Sequence, residues 1–119
     1  MYETLVPVGK NLLQVGMADS FGARFMGLMG KERSKENHAL LLLPCSSIHM
    51  LFMRFPIDAV FFDEQWTVLK VAENLQPWTG HSVCKGAYAC LELPANSAFF
   101  YGFFEGRRIP MRSMPDPEL

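Results

Sequence analysis

Charge is scarce in this chain and nearly balanced in sign. Asp, Glu, Lys and Arg make up 19% of the 119 residues, and the formal net charge is −1. Such a chain has no basic field with which to hold nucleic acid or an anionic membrane. The one local basic cluster, Arg107, Arg108 and Arg112, is offset by Glu105, Asp116 and Glu118. Cysteine is sparse and odd in number. Of Cys45, Cys84 and Cys90, at least one stands outside any intrachain disulfide. No C-x-x-C pair exists, which excludes a zinc ribbon and a thioredoxin-type motif. This usage suits a reducing compartment. No apolar run approaches the roughly 20 residues that a membrane helix needs. The first residues show no basic leader followed by an apolar stretch, so the expectation is a cytoplasmic protein. There is no G-x-S-x-G elbow around any serine, and no internal repeat or linker.

What is present is apolar. Hydrophobic residues account for 50% of the chain. A 119-residue chain fits one domain, which buries roughly two thirds of its unfolded surface and can fold without disulfides or a structural metal. The expected domain spans 1–119, with a core over about 11–112, a loosely held arm over 1–10 and a frayed tail after Pro115. Asn11–Ala18 alternates as a strand. Phe21, Phe25, Leu28 and Met29 recur on one face of a short helix that Gly30 would stop. Ala39–Leu43, Ile48–Phe52, Ala59–Phe62, Thr67–Ala72, Tyr88–Leu93 and Ile109–Arg112 read as further short strands. The third and fourth of these form a hairpin across Asp63-Glu64-Gln65. Ser97 is placed to cap a second short helix, Ala98–Tyr101. The fold class is therefore α+β and β-rich: one twisted, partly closed, barrel-like antiparallel sheet with two short helices.

The run from Leu40 to Glu64 is the most informative. Its apolar blocks carry four unusual guests: Cys45, His49, Met53 and Asp58. Burying a carboxylate or an imidazole without partners costs several kcal/mol. Each guest therefore has either an internal hydrogen-bonding role or a place in a site. Cys45, His49 and Met53, four residues apart, have the softness of a Cu(I) set, but Pro44 and Pro56 make one continuous element doubtful. A Cys45–His49 nucleophilic pair lacks the surroundings that activate a thiolate. Asp58 either accepts backbone N–H bonds where the chain leaves the Pro56 bend, with Arg24 and Arg54 as ion-pair candidates, or acts in a site. Glu92 is the other acid set among apolar neighbours. His49, Met53, Phe55 and Trp78 could line an apolar pocket with one polar contact. Trp78, beside Pro77, hints at an interaction surface.

Three stretches also carry a resemblance. They are Arg24-x-x-Gly27-Leu28-Met29-Gly30, then Ile48-His49-x-x-Phe52-Met53-x-Phe55-Pro56-Ile57-Asp58-x-Val60-Phe61-x-Asp63, and Leu91-Glu92-Leu93-Pro94-Ala95. In order and spacing the chain closely resembles domain-of-unknown-function family 192, also called uncharacterised protein family 0127, of bacteria and archaea. The resemblance covers about residues 11–112. It implies a small β-rich barrel-like domain and brings no established reaction, cofactor or catalytic residue. Many family members look secreted or envelope-associated, and this chain departs from them in lacking a leader. Met50 stands where the family often has Thr. Asn96 stands where it usually has Gly, a replacement that tolerates the left-handed backbone.

Three functional readings follow. The first is a non-catalytic binding domain for an unknown small ligand or protein segment, through a groove formed near His49, Met53, Asp58, Trp78 and Arg24, with no cofactor or metal. The second is a hydrolase-like or other enzyme using Asp58, His49 or Cys45. The third is a structural protein that pairs through its sheet edges.

Overall fold

Strand β5, Ile57–Phe62, is buried along its whole length, and the other elements are arranged about it. The computed structural model describes residues 2–18, 38–51 and 53–110. In chain order its elements are β1 (Tyr2–Val8), β2 (Asn11–Ala18), β3 (His38–Leu42), β4 (Ser47–His49), β5, β6 (Val68–Leu75), β7 (His81–Val83), β8 (Ala89–Pro94) and α1 (Ser97–Tyr101). Six strands form one sheet in the order β1-β2-β3-β8-β5-β6, while β4 and β7 form a separate two-stranded ribbon.

Two expectations are corrected here. The sheet is mixed: β2 and β3 run parallel, with Val15 opposite Ala39 and Met17 opposite Leu41, and every other pairing is antiparallel. It is also open rather than barrel-like, ending at β1 and β6 among the described residues. The expected arm is largely strand. Tyr2–Val8 pairs with β2 over seven residues, and Val6 and Val8 are buried. Alternation of inward Val6 and Val8 with outward Leu5 and Pro7 is the strand signal that the breakers Pro7 and Gly9 obscured. Pro7 is tolerated because β1 is an edge strand. The expected first helix and the tail beyond Pro110 lie outside the described residues. Of the expected last strand, Ile109–Arg112, residues 109 and 110 are not in a strand and the rest lies outside the described residues; the nearest bridge joins Thr67 to Arg108, just before it.

The central strands β3, β8 and β5 are apolar on both faces, which gives two cores. On one side pack Leu13, Val15, Leu41, Val60, Phe62 and Leu91, closed over by Ala98 and Tyr101 of α1 and by Phe103 and Ile109. On the other pack Leu42, Ile57, Ala59, Phe61 and Cys90, closed over by Ile48, Met50, Met53 and Phe55. Residues of one strand sort between the cores by parity, as the two-residue strand period requires. A fully buried side chain such as Phe61 or Phe62 contributes about 1.5–3 kcal/mol. The ribbon β4–β7 is thus the lid of the second core, with its other face turned to solvent.

Candidate functional site

Asp58 is the only charged residue among the buried polar side chains of the described residues, and its surroundings are specific. It lies where β6 bulges: Ile57 faces Leu75 and Ala59 faces Ala72, so two residues of β6 oppose Asp58 alone. The Asp58 carboxylate takes over from the interrupted ladder. Its Oδ1 accepts the N–H of Asn74 at 2.8 Å and that of Asn96 at 2.9 Å, and its Oδ2 accepts the N–H of Ala98 at 2.9 Å. Asn74 and Asn96 both have left-handed backbones, with φ of 53° and 67°. Asn is among the few residues with a side chain that accept this conformation at low cost. The N-cap of α1 is Asn96, which makes no side-chain cap bond. Ser97, the expected cap, donates its hydroxyl to the Pro94 carbonyl instead. Asp58 supplies the missing acceptor from another strand. It is a backbone clamp, enclosed by the protein and filled by three donors.

The ribbon is built differently. Ile48 and Ser82 point inward, while Ser47, His49, His81 and Val83 are exposed. His49 is directly opposite His81, and Ser47 opposite Val83. Backbone bonds extend the ribbon at both ends: Met50 N–H to the Gly80 carbonyl at 2.9 Å and Cys84 N–H to the Ser46 carbonyl at 2.8 Å.

The loop that leads into β7 is held against the end of β4. The Trp78 N–H donates to the Met50 carbonyl at 2.7 Å, and the Gly80 N–H to the Gln76 carbonyl at 2.9 Å. A Cβ on Gly80 would lie 2.7 Å from Gln76 O and 2.8 Å from Gln76 N, so the approach requires glycine. Within this turn Trp78 has φ of 69°. A turn with Pro77 at its second position favours Gly or Asn at the third; here a tryptophan occupies that place. It is 54% exposed, and neighbouring Leu51 is 49% exposed.

The sequence candidates therefore divide. His49 and Trp78 are on the surface, at one end of the ribbon. Met53 belongs to the second core, and Asp58 is enclosed, so neither faces an opening shared with His49. Arg24 lies outside the described residues, and Arg54 is exposed. The Cys45–His49–Met53 set does not converge, because Cys45 and Met53 are buried and His49 is exposed. The Cys45 thiol donates to the Ser47 carbonyl at 3.2 Å. Its bonding to Cys90, with burial, pushes the Cys90 thiol well above the ordinary thiol range; burial also raises that of Cys84. Neither shift favours a thiolate. Glu92 is partly exposed. His81 was missed by sequence reasoning. Its strand is three residues long and follows Pro77–Gly80, so no periodicity marked it.

Comparison with known proteins is consistent with this architecture. The family model DUF192, "Uncharacterized ACR", matches residues 4–111. The chain belongs to this family. It is 40% identical over 83 residues to the UPF0127 protein PH1112 of Pyrococcus horikoshii, an alignment covering 62% of this chain and 69% of that protein. It is 36% identical over 87 residues to a UPF0127 protein of Thermococcus sibiricus, covering 68% of this chain and 54% of the relative, so it spans about half of that protein's length. Among solved structures, a protein of unknown function from Novosphingobium aromaticivorans superposes with a TM-score of 0.75 at 19% identity, covering 90% of this chain and 82% of the other. One from Sinorhizobium meliloti, described as a candidate transcription regulator, gives 0.77 at 21% identity and covers 92% of each chain. At these identities the likeness is one of fold. Among the described residues no helix is long and apolar enough to cross a membrane.

Proposed function

We propose that this DUF192 domain is a non-catalytic binding module for a small ligand or short protein segment. Its recognition surface is the end of the β4–β7 ribbon, where His49 and Trp78 meet the solvent. The supporting observation is Trp78 itself. Placing a bulky side chain in the left-handed region costs about 1–2 kcal/mol, and glycine would avoid that cost. The loop nevertheless presents an indole there, half exposed and fixed by a short bond to Met50. Backbone strain held by its surroundings clusters at ligand clamps, and tryptophan is among the residue types enriched at the energetic centres of interfaces. Asp58 and Met53 serve the site as scaffold, and Arg24 enters on sequence grounds alone.

An acid–base enzyme built on Asp58 and His49 has less support, because three N–H groups occupy the Asp58 oxygens. Sheet-edge pairing also has less support. The β6 edge carries Lys70, Glu73 and a bulge, features that blunt an edge.

The reading is tested with a fragment library and a library of short peptides, screened by heteronuclear NMR on the wild-type protein. Hits should perturb the Trp78 indole and the His49 ring, and should be lost in both Trp78→Gly and His49→Ala. A screen whose hits all map elsewhere, or bind equally well without Trp78, would reject it.

A further inference from the structure

The ribbon also places two imidazoles together. Backbone bonds join Met50 to Gly80 and Cys84 to Ser46, so these are hydrogen-bonding pairs of the antiparallel ladder. Such pairs alternate with pairs that exchange no bond. Counting inward, Ile48–Ser82 is of the bonded kind and His49–His81 of the other. In the unbonded kind the Cα atoms approach to about 4.5 Å and the side chains are at their closest. Both histidines are exposed on the face away from the core. The two rings thus leave one short piece of backbone in the same direction, side by side and open to water.

We propose that His49 and His81 form a two-histidine chelate for a late first-row divalent cation, copper(II), nickel(II) or zinc(II). Imidazole nitrogen is a donor suited to all three, bound at about 2.0–2.1 Å in the zinc case. Two rings on adjacent strands reach one ion from the same side without moving the backbone. Among the described residues no group of three His, Cys, Asp or Glu side chains could hold a metal. The described residues therefore supply two ligands, and the positions they leave open belong to water or to a further donor. Such a site is a docking point, since an exchangeable coordination position next to the exposed indole can take a carboxylate or an imidazole. The Irving–Williams order makes copper(II) the tightest of the three. The inference does not depend on the proposed recognition role of Trp78.

Copper(II) and zinc(II) are titrated into the intact protein by calorimetry, with electron paramagnetic resonance of the copper form. The expected result is one ion per chain with nitrogen ligation. Loss of one second-shell partner weakens a metal site roughly 10–100-fold. Replacing a ligand itself, His49→Ala or His81→Ala, should therefore weaken binding by about tenfold or more, and His49→Ala/His81→Ala little further. Both residues are exposed, so the variants should keep the wild-type melting temperature. Trp78→Gly should bind metal as the wild type does, which separates this test from that of the recognition surface. Binding that survives both histidine replacements, that is lost instead in Cys84→Ser, or that is not detected in the wild type, would overturn the proposal.

Discussion

Asp58 caps a helix far along the chain: its Oδ2 accepts the N–H of Ala98, forty residues on and 2.9 Å away, in the first turn of α1. The same carboxylate seals the bulge of β6 through Asn74 and the turn after β8 through Asn96. One side chain thus fixes the junction of a strand, a bulge and a helix. Asp58→Ala leaves three N–H groups without their acceptor, that of Ala98 buried and those of Asn74 and Asn96 partly so. At about 1–3 kcal/mol for each uncompensated group, partly relieved by entering water, the loss should be about 3 kcal/mol or more. Asp58→Asn keeps one carbonyl oxygen but aims an amide donor at backbone donors, and should cost about 1–3 kcal/mol. Urea denaturation should rank the variants wild type, Asn, Ala. Equal midpoints for wild type and Ala would refute the clamp.

Trp78 predicts an inverted ranking. Glycine relieves the left-handed strain and alanine does not, so Trp78→Gly should be more stable than Trp78→Ala by roughly 1 kcal/mol. Thermal melts of the two variants decide it. Alanine equal to or above glycine would mean that the backbone at this turn is not strained.

Gly80 supports Trp78 by its lack of a side chain. In Gly80→Ala the new methyl meets backbone atoms of Gln76, which cannot rotate away, and Met50 Cγ at 3.0 Å. The loop should lift from β4 at a cost of about 1–3 kcal/mol. Faster hydrogen exchange at the Trp78 N–H is the specific readout. Unchanged protection of that amide would show that the close approach is dispensable.

The cysteines predict both a reactivity order and a pH profile. Cys84 is half-buried, while Cys45 and Cys90 are buried. Alkylation followed by mass spectrometry should label Cys84 first under native conditions. The Cys90 thiol is raised by its bond to Cys45 and by burial. A raised group binds its proton more tightly in the folded state than in the unfolded chain. Its stabilising contribution is complete below the unfolded thiol value of about 8.5 and declines as pH rises from there toward the folded value. Denaturation midpoints should be flat in this respect at neutral pH and fall in the alkaline range. Cys90→Ala should reduce that fall, and an identical alkaline slope would contradict the account.

Particular residues show how far the sequence could be read. Asn11–Ala18 emerges as β2 with its predicted bounds, and the Asp63-Glu64-Gln65 turn joins β5 to β6 as expected, with Asp63 Oδ1 accepting the N–H groups of Gln65 and Thr67. These are local signals, and local signals are legible. The parallel pairing of β2 with β3 and the openness of the sheet are not local. They depend on which strands meet across long loops, and no periodicity encodes that. Asp58 was legible as an anomaly, a carboxylate in an apolar run. That its oxygens clamp backbone donors depends on Asn74, Asn96 and Ala98, whose proximity only the fold creates. His49 and Trp78 were legible as candidates, but the pairing of His49 with His81 needed the ribbon.

The alternation of the ribbon carries a consequence for how such domains diversify. Ile48 and Ser82 answer to the interior, whereas positions 47, 49, 81 and 83 answer to nothing beneath them. Mutations can therefore rewrite the outward column one letter at a time while the inward column keeps the lid seated. A lineage could acquire a new binding preference there without first purchasing stability elsewhere.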